Sequence, residues 1–388
     1  MKKLVCMLAT FAILALSGCS PEAKPNQPPP TSTTTAAMTP ATVAEDDNYI
    51  YYHRLTEQKS FYERKSIKLP LINGIRPGIT LFGNNQIAYT NATNSPKPDE
   101  SNFCELGMYD LKTNQYTPIV TLDDGHSIGG IEAASDNYVV WKESLAGNTW
   151  LKSCLHLYDK KRGQDVVIYT NAVDPDTGFV YAENYNPAIL LNDVIYFDDV
   201  VGVLDNGALT MNVFSYDIAS GTIELVHSIA KMPMVYRGEL VFLAKEAGTN
   251  RSQLLSYANG VKKAIAALDD DIVALFASGQ HILTVKNIYE NGDPRYSSAT
   301  RLYLNGIALV DGKPTNYTFH PRANGHHVIW EQMNPGKPIY YDIKRDKFVK
   351  LTNEPDNYYG AYLTEDALFF VSAEDENDEF TCLVIPTL

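Results

Sequence analysis

One rhythm constrains the fold of this chain more than any other feature. A turn dipeptide, followed by a short apolar run that ends in an aromatic or large apolar residue, keeps returning. It reads NNQIAY to Tyr89, DNYVVW to Trp141, NDVIYF to Phe197, RGELVF to Phe242, SGQHIL to Leu283, NGHHVIW to Trp330 and EDALFF to Phe370. The steps between these residues are 52, 56, 45, 41, 47 and 40. A second phrase, a strand ending in Tyr and then a polar turn, falls between the copies of the first, at Tyr109, Tyr158, Tyr216, Tyr257, Tyr303 and Tyr341. Each unit therefore holds four short strands. In the sixth they are TFHPRA, HHVIWEQ, KPIYYDI and KFVKLT, set apart by Asn, Asp and Gly turns, and no amphipathic run of helical length interrupts them.

Four antiparallel strands repeated at about 40–50 residues predict the blade of a β-propeller. The expected fold is all-β: a seven-bladed β-propeller of four-stranded antiparallel blades, with six or eight blades as the alternative counts. The last unit, YGAYLTEDALFFVSAEDENDEFTCLVIPTL, runs out after three strands. A bare strand edge is a template for unwanted pairing. SFYERKSIKLPLI, Ser60 to Ile72, has the right length to close the ring as the outer strand of the C-terminal blade.

KFVKLTNEPDNYYGAYLTEDALFFVS, Lys347 to Ser372, resembles the TolB-type propeller repeat, in which a strand ending in Leu-Thr leads into the next blade's hairpin. Thr364-Glu365-Asp366 stands where that family has Ser-Pro-Asp-Gly. YNPAILLNDVIYFDD and YTFHPRANGHHVIWE are weaker copies. The resemblance covers roughly residues 60–388 and implies architecture rather than chemistry.

The start of the chain reads differently. Lys2 and Lys3 precede an apolar run, Leu4 to Leu16, too short to span a bilayer as a mature helix. The run closes on Leu16-Ser17-Gly18-Cys19, which resembles the bacterial lipoprotein signal. The resemblance implies that residues 1–18 are removed and that the Cys19 thiol takes the lipid. Ser20, rather than Asp, follows, which in a Gram-negative cell directs export to the outer membrane. Residues 19–45 are rich in Pro and Thr and almost lack large apolar side chains, so they cannot bury enough surface to fold. As an extended tether at about 3.1 Å per residue they would reach on the order of 80 Å. The organisation expected is a signal (1–18), a tether (19–45) and a propeller (46–388), held in the bacterial cell envelope by lipid.

The full chain carries a formal net charge of −14, from 32 Lys and Arg against 46 Asp and Glu. Loss of Lys2 and Lys3 with the signal leaves −16. Such a surface repels nucleic acid and anionic membrane, and it suits neutral or cationic partners. Of five cysteines, Cys6 leaves with the signal and Cys19 is committed to lipid. Cys104, Cys154 and Cys382 lack C-x-x-C spacing, which argues against zinc; one disulfide plus a thiol, or three buried thiols, are both open.

Candidate chemistry is sparse. GHSIGG, Gly125 to Gly130, fits the G-x-S-x-G elbow that presents a hydrolase serine. That elbow needs a long helix directly after Ser127, whereas Asp136-Asn137 makes a turn nine residues on and β-rich YVVW follows. GGIEAAS, Gly129 to Ser135, is therefore expected to fill the slot of an inner strand, so that Ser127 is structural and His126 contributes nothing. His326-His327 reads as a solvated hairpin start rather than a metal pair, and His320 as an inner-strand residue able to face the central channel. DPDTG, Asp174 to Gly178, resembles a calcium loop but places glycine one position early and lacks the later Glu. No cofactor is expected, with calcium near Asp174 and Asp176 as the weak exception. DDD at 269–271 and EDENDE at 374–379 read as solvated turns.

Loop length is the more useful guide. Hairpins between first and second strands are tight, whereas several second-to-third connections are long, as in TNATNSPKPDESNF, KESLAGNTW, DDVVGVLDNGALT and KNIYENGDPRYSSA. The connection TNAVDPDTGFVYAENY emerges at the same end. Trp150, Tyr181, Tyr185, Tyr289 and Tyr296, with Asp198, Asp199 and Glu290, make this end the expected recognition surface, joined by His320 from the channel. The function expected is a non-catalytic scaffold that binds a protein or glycan of the envelope; the alternative is a carbohydrate-active, lyase-like propeller acting on oligosaccharides.

Overall fold

The turn chemistry written in the second phrase is what bends each hairpin. In the computed structural model Asp110, Asp159, Asp217 and Asp342 each follow their Tyr and accept a backbone N–H three residues on, from Thr113, Arg162, Ser220 and Arg345, at 3.0, 3.0, 2.7 and 2.8 Å. The turns close on left-handed Asn114, Gly163, Gly221 and Asp346, with φ of 55, 63, 70 and 52°. The tyrosine hydroxyls brace two of these turns, Tyr109 donating to Asn114 and Tyr341 to Asp346. Asn259-Gly260 (φ 51 and 79°) and Asn305-Gly306 (φ 50 and 83°) use two-residue turns with positive φ at both positions, the geometry that matches strand twist.

The structure describes residues 56–57, 65–69, 78–82, 86–91, 104–110, 113–122, 126–144, 153–171, 186–203, 209–245, 252–267, 272–289, 297–310, 318–332, 338–350, 358–363, 367–373 and 380–386. Two units are distinguished, Met1–Ala44 and Glu45–Leu388, and every described residue belongs to the second. The expected signal peptide, the tether and Cys19 lie outside the described residues.

Among these residues there is no helix, and the strands form seven sheets. Two N-terminal strands, β1 (Thr56–Glu57) and β2 (Lys65–Leu69), precede them. The first sheet is β3 (Gly78–Phe82), β4 (Gln86–Asn91), β5 (Glu105–Asp110) and β6 (Gln115–Thr121). The second is β7 (Ser127–Ala134), β8 (Tyr138–Ser144), β9 (Ser153–Asp159) and β10 (Gln164–Thr170). The third is β11 (Ile189–Leu191), β12 (Val194–Val203), β13 (Leu209–Asp217) and β14 (Thr222–His227). The fourth is β15 (Ala230–Tyr236), β16 (Glu239–Lys245), β17 (Ser252–Ala258) and β18 (Val261–Ala267). The fifth is β19 (Ile272–Ser278), β20 (His281–Tyr289), β21 (Ser297–Leu304) and β22 (Ile307–Val310). The sixth is β23 (Thr318–Ala323), β24 (His327–Gln332), β25 (Pro338–Asp342) and β26 (Lys347–Lys350), and the last holds β27 (Tyr358–Leu363), β28 (Ala367–Ala373) and β29 (Phe380–Pro386).

Within each sheet consecutive strands pair antiparallel, so first-to-second and third-to-fourth turns share one end and second-to-third connections occupy the other. Strand β2 pairs antiparallel with β29, Lys65 opposite Val384 and Leu69 opposite Phe380, and so supplies the outer strand of the last sheet. A finding the sequence did not suggest is a parallel pairing. Strand β1 lies along β26, with Thr56 opposite Val349 and Glu57 opposite Lys350. It is two residues long and has no alternation from which a strand could be read.

Burial follows position in the sheet. Second strands are flanked by strands on both edges, and they carry the residues that end the first phrase. Trp141, Phe197, Phe242, Leu283 and Trp330 are all fully buried. Each such side chain contributes roughly 1.5–3 kcal/mol of transfer free energy. Fourth strands face solvent, and β10 and β14 leave Val166, Val167, Ile223 and Leu225 exposed. Neighbouring sheets meet through their first strands, β3 beside β7, β7 beside β11, β15 beside β19 and β19 beside β23.

Candidate functional site

The long-connection end of the second and third sheets holds a group of buried ionisable side chains. Alternation along β8 sends Trp141 and Glu143 to one face and Val140 and Lys142 to the other. On the first face Trp141 stands opposite His156 of β9, and the two rings stack with centroids 4.0 Å apart. His156 Nε2 lies 2.9 Å from Glu143 Oε2, and its Nδ1 lies 2.7 Å from Asp165 Oδ2 of β10. The Trp141 indole N–H donates to the other Asp165 oxygen at 2.9 Å. Glu143 Oε1 in turn holds Nδ1 of His126, the residue just before β7. One side chain from each strand position thus forms a chain: Asp165, His156, Glu143, His126.

Both ring nitrogens of His156 are thus held by carboxylate oxygens, one on β8 and one on β10, which fixes the plane of the ring against Trp141. Glu143 and His156 are buried, whereas the His126 side chain is 41 % exposed. Its Nδ1 is committed to Glu143, which leaves Nε2 as the atom able to accept from or donate to a ligand.

On the other face Lys142 Nζ pairs with Glu132 of β7 at 3.2 Å, and Glu132 also accepts the Ala188 amide at 2.8 Å, tying the second sheet to the third. Asp199 accepts the Tyr169 hydroxyl at 2.7 Å, and burial raises that phenol's pKa further above its ordinary value. Asp198 reaches toward the fourth sheet, where the Met232 amide donates to Oδ2 at 2.7 Å; Asn186 Nδ2 donates to the same oxygen. Met232 sits at positive φ (57°) in a bulge of β15, which turns its N–H out of the ladder. Asp198 Oδ1 has no hydrogen-bond partner. Burial pushes the Asp198 carboxyl up to about 7, against the lowering effect of Met232, Asn186 and Lys142.

These placements correct the sequence reading at two points. Asp198 and Asp199 are not in an exposed loop: strand β12 runs on through them to Val203, and both are fully buried. Val200, Val201 and Val203 continue the apolar run past the expected strand end, and the strand stays paired with β13 through a bulge between Val200 and Gly202. His126 does contribute, through Glu143, although its partners lie 17 residues and more away and nothing local announces them. Ser127 opens β7 opposite Ser144, and the chain passes from Ala134 through a turn into β8. A hydrolase elbow is excluded.

The histidines at the opposite end are a third correction. His327 is not solvated: it is buried in β24, 3.9 Å from Asp342, which also holds Arg345. Burial pulls the His327 pKa down to about 4. The amides of His326 and His327 are capped by Asn324 Oδ1 at 2.8 and 2.7 Å. Among the described residues no group of three or more His, Cys, Asp and Glu is placed to hold a metal. Tyr289 ends β20 and His320 sits within β23. Trp150, Tyr181, Tyr185, Glu290, Tyr296 and the Asp174–Asp176 loop lie outside the described residues. Cys104 and Cys154 are buried thiols.

No protein-family model matches the chain, and no curated protein is similar to it in sequence. Solved structures are similar in fold. The β-propeller domain of the Trilobed protease from Pyrococcus furiosus superposes with a TM-score of 0.52 at 11% identity, over 79% of this chain and 93% of that one. A prolyl endopeptidase gives 0.55 at 11% identity, over 78% of this chain and 47% of that one. Pyrococcus horikoshii acylaminoacyl peptidase gives 0.51 at 12% identity, over 76% and 49%. The chain is all-β, and its sheets are of the β-propeller kind. It spans about half the length of the two peptidases, and at these identities the likeness is one of fold alone.

Proposed function

We propose that the chain is a lipid-anchored, seven-bladed, TolB-like propeller of the bacterial cell envelope that binds a protein or glycan partner through its long-connection end, without catalysis. The observation that carries this reading is the asymmetry between the ends of the sheets. Turns at one end are two to four residues long and mostly satisfied within themselves, while connections at the other are longer, reaching 13 residues at 92–104 and 18 at 171–188, and carry Trp150, Tyr181, Tyr185 and Tyr296 with many acids. Variable connections on a rigid scaffold are how propeller-like folds recognise partners. The seven sheets would form one ring, with β2 joining the N-terminal chain to the last sheet as its closure. Binding of this kind requires no cofactor; calcium at Asp174 and Asp176 would at most stiffen one connection.

The test is capture from membranes with the lipidated protein, comparing wild type with variants shortened within 92–103 and 290–296, between the paired strands. A partner retained by wild type and lost from both variants, but kept when the turn at 259–260 is altered, supports the reading; a partner insensitive to the connections refutes it. The second reading, an oligosaccharide-cleaving enzyme, is favoured by one observation, the half-exposed His126 held by Glu143. Oligosaccharide cleavage that disappears in His126→Ala and His320→Ala would establish it.

A further inference from the structure

The chain passes from the third sheet to the fourth through a backbone that side chains rarely allow. Ile229 and Met232 both hold positive φ, 53 and 57°. For a β-branched residue such as Ile229 that region is a genuine outlier, because Cβ crowds the following carbonyl. Three hydrogen bonds hold the segment there. Asn212 Oδ1 of β13 accepts the Ile229 amide at 3.1 Å, and the Lys245 amide of β16 donates to the Ile229 carbonyl at 3.2 Å. Asp198 Oδ2 accepts the Met232 amide at 2.7 Å. Pairing between β15 and β16 skips from Lys231 to Met234, and Pro233 has no N–H to offer the ladder. Strain of this kind persists only where surrounding contacts enforce it.

The Met232 amide closes the site of a fully buried carboxyl. Asp198 Oδ2 takes both donors, Met232 N–H and Asn186 Nδ2, while Oδ1 has no hydrogen-bond partner. Lys142 of β8, paired with Glu132 of β7, favours the ionised form; Asp199, next on β12 and bonded to Tyr169 of β10, opposes it. Lys231 of β15 is exposed. Burial outweighs these neighbours and pushes the Asp198 carboxyl up to about 7.

We infer that Ser228–Met232 is a strained flap over Asp198, which opens ahead of the rest of the fourth sheet when that carboxyl ionises and lets water reach Oδ1. Opening also frees Ile229 and Met232 from positive φ, so this segment yields before the paired strands do. Strand β14 ends and β15 begins at the long-connection end, so the flap delivers an anion there under the control of pH. The inference stands whichever partner that end meets. The sign follows from linkage. Closed, the carboxyl is raised from 3.8 to about 7; open, it returns toward 3.8. Closure is fully favoured below about pH 4 and is lost as pH rises to about 7, by up to tenfold in the open-to-closed ratio per pH unit.

Hydrogen exchange of the full chain between pH 5 and 7.5, divided by the intrinsic rate at each pH, tests this. The Ile229 and Met232 amides are expected to open at least tenfold more often at pH 7 than at pH 5. They should open more often than Phe242, in the buried strand β16, at every pH. Asp198→Asn should flatten the pH dependence. Ile229→Gly, which accepts positive φ without strain, should lower opening several-fold and leave the pH dependence in place. Opening at 229 and 232 that coincides with Phe242, or a pH dependence that survives Asp198→Asn, overturns the inference. So does an Ile229→Gly chain that opens as often as wild type.

Discussion

The two ends of the same sheets are built from different kinds of contact. The tight turns are anchored mostly within themselves: Asp217 to Ser220 three residues away, Tyr109 to Asn114 five away, Asn324 to the His326 and His327 amides, with a few bonds between turns such as the Arg237 amide to the Gly279 carbonyl at 2.7 Å. At the opposite end partners come from far along the chain. Tyr169 and Asp199 are 30 residues apart, Asp198 and Met232 are 34 apart, and Glu132 and Ala188 are 56 apart. Local anchors make each hairpin close by itself, whereas the distant ones form only once neighbouring sheets have docked. The long-connection end gathers most of the buried carboxylates, with Asp342 beside His327 as the counterpart at the tight turns, and it is the end proposed to meet a partner.

The largest effect should come from the middle of the buried chain in the second sheet. Glu143→Ala removes the shared partner of His156 and His126, at an expected cost of about 3–5 kcal/mol. Urea unfolding would measure it, and a loss below about 1 kcal/mol would mean that the four-residue chain is not a structural unit.

Next comes the pH response, which should have opposite signs at the two ends. Asp198 is raised from 3.8 to about 7, so the unfolded state releases its proton first and stability falls as pH climbs from about 4 to 7. Three pKa units correspond to roughly 4 kcal/mol across that window. Asp198→Asn should remove the slope and raise stability at pH 8. His327 is lowered from 6.5 to about 4, so the unfolded state takes up a proton first and stability falls as pH drops from about 6.5 to 4. That loss is somewhat smaller, on the order of 3 kcal/mol, and His327→Phe should abolish it. Unfolding midpoints of both variants between pH 4 and 8 test the pair; parallel rather than opposed changes would break the comparison.

The smallest effect belongs to a single turn. Gly260 has φ of 79° and open space around it, so Gly260→Ala should cost only about 1–2 kcal/mol of backbone strain, seen as a modest drop in melting temperature. Shortening residues 204–208 should change stability less still, because those residues lie beyond the paired ends of β12 and β13.

Much of the strand framework was legible because its causes are local. Turn residues at fixed offsets from Tyr109, Tyr158, Tyr216 and Tyr341 mark hairpins, and Trp141, Phe197, Phe242, Leu283 and Trp330, which end five of the apolar runs, mark second strands whose large side chain is fully buried. The outer strand of the last sheet was readable from an unpaired edge alone, and Lys65–Leu69 falls inside the segment chosen for it. The candidate site was mostly not legible. Asp198 and Asp199 look like the start of a loop when read in sequence, and His126 looks idle beside Ser127. Their roles depend on which strand lies alongside, and hydropathy does not record that.

The amino-acid sequence by itself determined where the chain turns, which residues go inside, and that four-stranded units repeat. All of these follow from φ preferences and two-residue alternation within a few residues. Only the tertiary structure decided that Asp165, His156, Glu143 and His126 join into one chain, that Asp198 is sealed from water, and that β1 runs parallel to β26. Those outcomes arise when strands pair side by side and sheets pack and exclude solvent, and no short stretch of sequence contains both partners of such a contact.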